Sequence, residues 1–516
     1  MSKFKEYSAL DLSVVNKSIL DFWRQESVFE KSLGEKNKSY NFYEGPPSAN
    51  GMPGIHHVIA RTIKDLFCRY KTLKGFNVYR KAGWDTHGLP VELGVEKELS
   101  ITKEDIGTKI SIEDYNKACR VNVMKYQAAW EDITAKMGYW VDMKNPYVTY
   151  DNKYIESVWW LLKQLHNKNL LYKGHTVQPF SPKAGTGLST HELNQPGCYR
   201  NVKDTSAIAQ FKIIKNNQSN FLFEKTDKSI FFLAWTTTPW TLPSNTALAV
   251  GKKITYVLVE TVNQYNGEVY CVILAKDLLS KHFKTENENI SFETYEVGNK
   301  SRPYVVLKEF TGDLLVGLVY DQLLKYAVPK NGDAFRVLAG DFVTTEDGTG
   351  IVHLAPSFGA DDNRVAKQNG IGSLTLVDEQ GRFTEEVNDF YGQYVKDEFY
   401  TENDTKPKLP ADVQIIIKLK ESGLLFNSEK YEHSYPHCWR TDKPILYYPM
   451  DSWFVKTTEH KEKMMELNKT INWKPSSTGE GRFGNWLENL VDWNLSRSRF
   501  WGIPLPIWRT ENGKEE

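Results

Sequence analysis

The sequence predicts an α/β protein in which a doubly wound parallel sheet is interrupted by a β-rich, barrel-like insertion. Near the N-terminus, residues 40–80 read as a strand, a Gly/Pro-rich turn, a helix and a second strand. From Asp204 to about Val305, short runs that alternate apolar and polar residues are separated by turn residues, which is typical of a β module. From about Tyr435 the aromatic-rich pattern of the first part returns, so the β module is predicted to be an insertion.

The individual elements follow from hydrophobic periodicity. Apolar residues at helical spacing predict an N-terminal helix within residues 9–31. The following part of the chain is then predicted to hold strands over 40–44 and 76–80 and helices over 58–70, 112–136 and 153–169. In the β module, strands are predicted over 206–213, 230–235, 256–262 and 268–274, and a turn enters a further strand at 347–353.

The composition is that of a globular protein with roughly three domains. The chain has 516 residues and zero formal net charge, so the whole chain is not an electrostatic nucleic-acid binder. Its five scattered cysteines predict a reducing compartment, and we expect a cytoplasmic monomer. The N-terminal residues lack the apolar core of a signal peptide, and no apolar run is long enough for a membrane span.

The turn after the first predicted strand carries the strongest chemical signal. Residues 45–57 read Gly-Pro-Pro-Ser-Ala-Asn-Gly-Met-Pro-Gly-Ile-His-His and lead directly into a helix. The first turn of a helix has free backbone N–H groups and partial positive charge, which suits a phosphate. At that point His56 and His57 are able to donate hydrogen bonds to a phosphate chain. The alternative, from the geometry alone, is a turn with two solvated histidines.

This turn resembles the first signature, His-x-Gly-His, of class I aminoacyl-tRNA synthetases. The residues around it are similar to the isoleucyl, valyl and leucyl branch. Residues 83–90, Gly-Trp-Asp-Thr-His-Gly-Leu-Pro, resemble the isoleucyl-tRNA synthetase form of the next motif. The similarity extends over nearly the whole chain, from residue 22 to residue 504. Residues 54–57, Gly-Ile-His-His, exchange the usual Gly and first His, as in one bacterial subgroup of isoleucyl-tRNA synthetases.

The resemblance implies a Rossmann-type catalytic domain interrupted by an editing insertion. Residues 1–185 are expected to hold the N-terminal helix and the first half of the catalytic domain. Residues 186–430 are expected to form the connective insertion, with an editing core at about 200–392. Residues 431–516 are expected to return to the catalytic domain and leave it incomplete, because the second signature, Lys-Met-Ser-Lys-Ser or similar, does not occur in the sequence. We therefore expect the N-terminal part of a longer enzyme.

The resemblance assigns roles in a synthetic site that uses ATP with Mg²⁺. The expected ATP-binding residues are Gly45, Pro46, Gly54, His56 and His57. Asp85 matches the carboxylate that holds the substrate ammonium, a cation that needs a fixed anionic partner. His57 and Asp85 are the residues of this site expected to be catalytic. Pro46 and Trp501 match the walls of the isoleucine side-chain pocket. The alternatives are a turn or N-cap role for Asp85 and an ordinary core role for Trp501.

A second site is implied within the insertion. Residues 235–245 resemble the threonine-rich editing motif, and residues 353–362 resemble its other half. The expected editing residues are Thr236, Thr237, Thr238, Asn245, His353 and Asp362. Asp362, which is also expected to be catalytic, matches the family carboxylate that holds the aminoacyl ammonium, and His353 matches a boundary of the side-chain pocket. Without the resemblance, three adjacent threonines are usually just a strand, and two adjacent carboxylates usually form a solvated helix start.

The small difference in binding energy between valine and isoleucine explains why two sites are needed. Valine lacks one methylene of isoleucine, which is worth only about 1–3 kcal/mol in a pocket; isoleucyl-tRNA synthetases are the standard worked example of this limit. The resemblance implies isoleucine, ATP and tRNA(Ile) as partners, with hydrolytic editing of valyl-tRNA(Ile). The alternatives are a valyl-tRNA synthetase, or a tRNA-binding or editing-only module without synthetic activity.

A zinc site is not expected in this chain, although the family often carries Cys-x-x-Cys at the corresponding position. His433, His437 and Cys438 cluster in sequence, but Thr441 stands where a second Cys often occurs in the family. One thiolate and two imidazoles are too few for a closed zinc site. The predicted set of metal ligands is therefore empty.

Overall fold

The structure is a computed structural model that describes residues 9–34, 38–299 and 301–511. It has a mixed α/β architecture and divides into two compact units. The first unit comprises the chain up to residue 169 together with residues from 499 onward, and the second comprises residues 170–498. None of the helices in the described part of the chain has the length and apolar character needed to span a bilayer.

The first unit is mainly helical. Its helices are α1 (Leu12–Gln25), α2 (Val28–Ser32), α3 (Ile55–Leu73), α4 (Leu89–Leu99), α5 (Ile112–Val123), α6 (Gln127–Lys136) and α7 (Asn152–Asn167). Its strands are β1 (Lys81–Trp84) and β2 (Asp142–Val148), which pair in parallel. The close approach of the two strands needs glycine at position 83, because a Cβ there would lie 2.4 Å from the ring of Tyr147.

The helical segments predicted for this unit are confirmed, but helix α4 was not predicted, and two of the predicted strands are wrong. Residues 40–44 are extended without a ladder, and the only bridge nearby joins Ser39 to Asn77 among the residues described. The second strand lies at Lys81–Trp84, not at 76–80, because that is where β2 supplies a partner. Of the predicted doubly wound sheet, the described residues of this unit show one parallel pair.

Helix α3 turns its polar side chains toward the rest of the first unit. Lys64 pairs with Glu44 at 2.6 Å, and Asp65 lies 3.6 Å from the buried guanidinium of Arg80. Cys68 is the one fully buried residue of the helix. The opposite face is apolar and exposed, and it carries Ile55, Ile59, Ile63, Leu66, Phe67, Tyr70 and Leu73. We call these seven residues the α3 apolar face.

The second unit is built on sheets. Its strands are β3 (Leu171–Ser181), β4 (Thr186–Gly187), β5 (Tyr199–Lys212), β6 (Ile230–Thr236), β7 (Ala247–Val250), β8 (Thr255–Val262), β9 (Val269–Ala275), β10 (Tyr304–Thr311), β11 (Arg336–Ala339), β12 (Ile351–Leu354), β13 (Leu425–Pro436), β14 (Leu446–Val455) and β15 (Trp493–Asn494). Its helices are α8 (Thr190–Leu193), α9 (Leu279–His282), α10 (Ala360–Gln368), α11 (Ala411–Glu421), α12 (Lys461–Asn468) and α13 (Gly484–Glu488).

Strand β6 is the branching point of a nine-stranded mixed sheet. The order is β10-β8-β9-β6-β12-β7-β11, and β5 joins the other edge of β6 and pairs in turn with β13. The edge of β6 opposite β5 pairs first with β9 and then, near residue 235, with β12. A separate four-stranded sheet has the order β15-β14-β3-β4. The predicted β module is confirmed, and its barrel-like closure stays a prediction. The described strand ladders do not close, but the isolated bridges Ile213–Tyr320 and Val319–Arg336 link the end of β5 to β11.

Candidate functional site

In the first unit, the start of α3 fixes the orientation of His57. The backbone N–H of Gly54 donates to Nδ1 of His57 at 2.9 Å. The neutral ring therefore carries its proton on Nε2 and presents a hydrogen-bond donor there. Burial lowers the pKa of His57, and the neighbouring His56 lowers it further. At neutral pH the geometry thus offers a neutral N–H donor beside the helix N-terminus.

Gly54 and His56 are matched to each other. The rings of His56 and His57 lie 3.8 Å apart between centroids. A Cβ at position 54 would lie 2.8 Å from Cε1 of His56. The imidazole at 56 thus occupies the space that a side chain at 54 would need. In this signature, the glycine at 54 therefore makes room for the histidine ring at 56.

Three distant segments of the first unit meet at Asp85. The backbone N–H of Asp85 donates to the Pro47 carbonyl at 3.0 Å, one residue after the half-buried Pro46. The indole Nε1 of Trp501 donates to the Thr86 carbonyl at 2.6 Å. The Asp85 side chain reaches solvent, yet the surrounding protein raises its pKa by desolvation. The segments that carry Pro46, Asp85 and Trp501 therefore adjoin one another, and their shared role in a site stays a prediction.

Glu92 is a residue that the sequence reasoning missed. Its Oε1 accepts the backbone N–H groups of Phe500 and Trp501 at 3.0 and 2.9 Å. Its Oε2 pairs with Nε of Arg499 at 2.7 Å, and both side chains are almost fully buried. A carboxylate among the apolar residues of α4 was the available signal, but its partners lie about 400 positions further along the chain.

In the second unit, the threonine run leaves the end of β6 in a tight turn. The Thr236 hydroxyl accepts the backbone N–H of Thr238 at 3.0 Å and lies 3.3 Å from the Thr238 hydroxyl. Thr236 is buried, whereas Thr237 and Thr238 are partly exposed. A short 3-10 helix, Pro239–Ser244, follows directly. The turn gathers polar oxygens at the edge of the sheet instead of continuing the strand.

His353 joins the two halves of the predicted editing motif. It lies on β12, next to β6, and its Nε2 is 3.0 Å from the hydroxyl of Thr241. Burial lowers its pKa to about 4, so the ring is neutral at physiological pH. Its buried Nδ1 has no hydrogen-bond partner among the described residues. Thr241 was not among the predicted site residues, although it lies in the same motif.

Asp362 lies in the first turn of α10 and folds back onto the preceding loop. Its Oδ2 accepts the backbone N–H of Ala355 at 2.9 Å. Glycine is required at 359, since a Cβ there would lie 2.6 Å from Cγ of Asp362. Desolvation, and to a smaller extent Asp361, raises the pKa of Asp362 to about 6. The site therefore holds a carboxylate whose ionisation is costly without a cationic partner.

Asn245 serves the scaffold through its side chain. Its Nδ2 donates to the Ala247 carbonyl at 2.8 Å and its Oδ1 accepts from the Tyr320 hydroxyl at 2.7 Å. The residue is 2% exposed. The amide thus links the end of the 3-10 helix to β7 and to the core, which differs from the ligand-facing position that the sequence suggested.

The residues considered for zinc are engaged elsewhere. His433 Nε2 lies 3.2 Å from Asp204, and His437 Nδ1 lies 3.0 Å from the Tyr435 carbonyl oxygen. Cys438 is fully buried. In the part of the chain that the structure describes, no group of three or more His, Cys, Asp or Glu side chains is placed to hold a metal ion.

Comparisons with known proteins agree on one family. A family model described as tRNA synthetases class I (I, L, M and V) matches residues 18–516. The Isoleucine--tRNA ligase of Cytophaga hutchinsonii is 60% identical, covering 98% of this chain and 47% of the relative. That of Bacteroides thetaiotaomicron is 56% identical, covering 100% and 48%. A ternary complex of Agrobacterium radiobacter K84 agnB2 LeuRS, tRNA and LeuAMS is 14% identical, covers 84% of this chain and 51% of that chain, and has a TM-score of 0.31, too low to argue from.

The matched residues include both candidate sites, from the turn at His57 to the loop at Trp501. The chain spans about half the length of the curated relatives it matches. With the family model matching nearly all of its residues, the chain belongs to the class I tRNA synthetases of the I, L, M and V group.

Proposed function

We propose that this chain is the N-terminal part of an isoleucine--tRNA ligase that contains an activation site and a separate editing site. The names and high identity of the curated relatives support isoleucine as the amino acid. The same comparison does not favour the alternative of a valyl-tRNA synthetase. The partners in this proposal are isoleucine, ATP and tRNA(Ile), and the enzyme acts as a cytoplasmic monomer.

The first unit would contribute to activation. In that reaction the isoleucine carboxylate attacks the α-phosphorus of ATP, the bond to the β-phosphate breaks, and pyrophosphate leaves. Nε2–H of His57 and the backbone N–H groups at the start of α3 would hold the phosphates. Asp85 would bind the isoleucine ammonium. Gly45, Pro46, Gly54 and His56 would line the nucleotide, and Pro46 with Trp501 would bound the side chain.

Domain limits and metals belong to the same proposal. Residues 1–185 and 431–516 would contribute to a Rossmann-type domain, and 186–430 would form the insertion with an editing core at about 200–392. Mg²⁺ would arrive with the ATP phosphates and offset their charge. Since the described residues do not form a metal-holding group, no protein side chain is assigned to Mg²⁺ or to zinc.

The second unit would hydrolyse misacylated tRNA. Water attacks the ester carbonyl of valyl-tRNA(Ile), the bond to the ribose oxygen breaks, and that oxygen takes a proton, so that valine and tRNA(Ile) are released. Asp362 would hold the valine ammonium, and the hydroxyls of Thr236–Thr238 would place the terminal ribose and the water. His353 would bound a pocket too small for isoleucine.

One observation carries the editing proposal. Thr241 and His353 are 112 positions apart, yet their side chains lie 3.0 Å from each other. This contact joins the threonine turn to the segment that ends at Asp362. Because the two motif halves were predicted separately from the sequence, their meeting at one edge of the sheet supports a shared site.

Deacylation of valyl-tRNA(Ile) by the chain tests the proposal. We expect Asp362→Ala to slow hydrolysis by about 10- to 100-fold, since a hydrogen bond to a charged group in a desolvated site is lost. Asp361→Ala is the matched control, because that neighbour is exposed and pairs with Arg364. Isoleucyl-tRNA(Ile) should persist. Equal hydrolysis of the two esters, or equal effects of the two substitutions, would contradict the assignment.

A second measurement separates the full ligase from an editing-only module. ATP–pyrophosphate exchange is measured with isoleucine and with valine, using this chain and a full-length form that continues as in the relatives. We expect exchange by the longer form, faster with isoleucine, and loss of that exchange in Asp85→Ala. Absence of exchange in the longer form would favour the editing-only alternative.

A further inference from the structure

A buried chain of charges lies behind the threonine turn of the second unit. Asp412, on α11, and Lys396 are 6% and 7% exposed. Nζ of Lys396 lies 2.7 Å from Oδ2 of Asp204 and 3.8 Å from Oδ2 of Asp412. Asp204 also contacts His433 at 3.2 Å. Burying charged groups is costly even when they are paired, so we asked what this cluster holds in place.

The other carboxylate oxygen of Asp412 reaches the candidate site through the backbone. Its Oδ1 accepts the N–H of Trp240 at 2.7 Å. Trp240 is the second residue of the 3-10 helix that follows Thr236–Thr238. Backbone N–H groups at the start of a helix have no partner within the helix, and Asp412 supplies one from a different element.

Trp240 connects that bond to both halves of the site. Its ring packs edge-on against Phe358 with centroids 5.1 Å apart, four positions before Asp362. The next residue, Thr241, contacts His353. A shift of Trp240 would therefore move the threonine turn, the His353 contact and the loop that leads to Asp362 together.

From this geometry we infer that Asp412 is a positioning residue of the editing site, anchored by Lys396 and Asp204. It fixes the backbone at Trp240 and so sets the distance between the Thr236–Thr238 turn and the His353–Asp362 segment. Lys396 holds the carboxylate in place from its other oxygen. The inference rests on the proposed editing function for its catalytic consequence, whereas its structural part rests on the contacts alone.

The structural part is tested by hydrogen exchange of a peptide covering residues 236–245. Pro239 and Pro243 have no amide hydrogen, and Trp240 is one of the residues that report in this peptide. We expect at least tenfold faster exchange there in Asp412→Ala. Asp412→Asn keeps an oxygen acceptor, so its exchange rate should lie between those of the unsubstituted chain and Asp412→Ala. Asp389→Ala is the matched control. It removes an exposed carboxylate that pairs at 2.8 Å with Lys418, a residue of the same helix, α11.

The catalytic part is tested by deacylation of valyl-tRNA(Ile) with the same variants of the full chain. Asp412→Ala should lower kcat at least tenfold and change KM less than twofold, with partial recovery in Asp412→Asn and no loss in Asp389→Ala. Unchanged exchange at 236–245, or equally faster exchange throughout the second unit, would overturn the inference. An inactive unsubstituted chain would refute the proposed editing function, and the exchange measurement would still decide the role of Asp412.

Discussion

The two compact units differ in where they keep their apolar side chains. In the second unit, strands such as β7 and most of β9 are fully buried, and aromatic residues such as Phe211, Phe232 and Tyr256 are inaccessible. In the first unit, helices α1 and α7 have no buried residue, and α3 has one. The second unit therefore has one large core, whereas the first has smaller buried clusters, such as the one that contains Trp501, and presents apolar helix faces to solvent.

This difference bears on the two candidate sites. The editing residues lie on strands and short helices that pack on a continuous core, which favours precise geometry. The activation residues lie on turns that are joined by individual hydrogen bonds, such as those from Asp85 to Pro47 and from Trp501 to Thr86. Large exposed apolar faces are characteristic of surfaces that bind a partner. We therefore expect the editing site to be the more self-sufficient of the two.

The largest expected effect compares phenylalanine truncation in the two units. Phe211 is fully buried and packs edge-on against Tyr320 at 5.4 Å, so Phe211→Ala should destabilise the second unit by about 3–5 kcal/mol. Phe67→Ala, at a residue 48% exposed on the α3 apolar face, should cost the first unit less than about 1 kcal/mol. Hydrogen exchange during urea unfolding reports each unit separately. Equal losses would show that the α3 apolar face is covered in solution.

A second, smaller effect concerns pH and the second unit. The pKa of Asp362 is raised to about 6, so between about pH 4 and 6 the folded state holds a proton that the unfolded state has lost. Its contribution to the free energy of unfolding is therefore greatest at low pH and falls by about 2–3 kcal/mol as pH rises through 6. Asp362→Asn should remove this dependence, so that the variant is the more stable form at pH 8.

The same titration should appear in the reaction. Binding the valine ammonium requires the ionised carboxylate, so deacylation should rise with pH through about 6 and then level off. For the stability prediction, urea unfolding of the unsubstituted chain and of Asp362→Asn at pH 4.5 and pH 8 gives the difference in their free energies of unfolding. If that difference does not change with pH, Asp362 does not titrate as its burial implies.

A third effect tests the steric match in the first unit. Gly54→Ala should displace the His56 ring and cost about 1 kcal/mol, since the new Cβ would lie 2.8 Å from that ring. Adding His56→Gly should recover most of the loss, with a coupling energy of about 0.5–2 kcal/mol. Gly51→Ala is the control, because no atom lies within 4 Å of its added Cβ. Additive effects of the two substitutions would contradict the match.

Local patterns predicted much of both units. Helical periodicity located α3, α5, α6 and α7 within a few residues, and alternation located β5, β6, β8 and β9. The strands at 40–44 and 76–80 were wrong because an extended segment becomes a strand only where a neighbour supplies a ladder. Aromatic and β-branched content alone does not reveal that neighbour.

The residues that support the two candidate sites were harder to predict than the motif residues. The motif residues were proposed because each motif is continuous in sequence. Glu92, Thr241 and Asp412 were missed, since each acts through a partner that only the tertiary structure brings near. A buried carboxylate that binds a backbone N–H leaves no spacing pattern in the sequence. Asn245 shows the converse, because a motif residue is occupied by the scaffold.

The smallest expected effect separates burial from charge in the two carboxylates proposed to hold ammonium groups. Desolvation raises the pKa of both Asp85 and Asp362, and only for Asp362 does a neighbouring carboxylate, Asp361, add to the effect. Asp361→Asn should therefore shift the midpoint of the deacylation pH profile to lower pH by a few tenths of a unit, about 0.5 kcal/mol. The shift should shrink at high salt, because Asp361 is exposed and its charge is screened. A shift of a full unit or more would mean that the charge of Asp361, and not desolvation, dominates the pKa of Asp362.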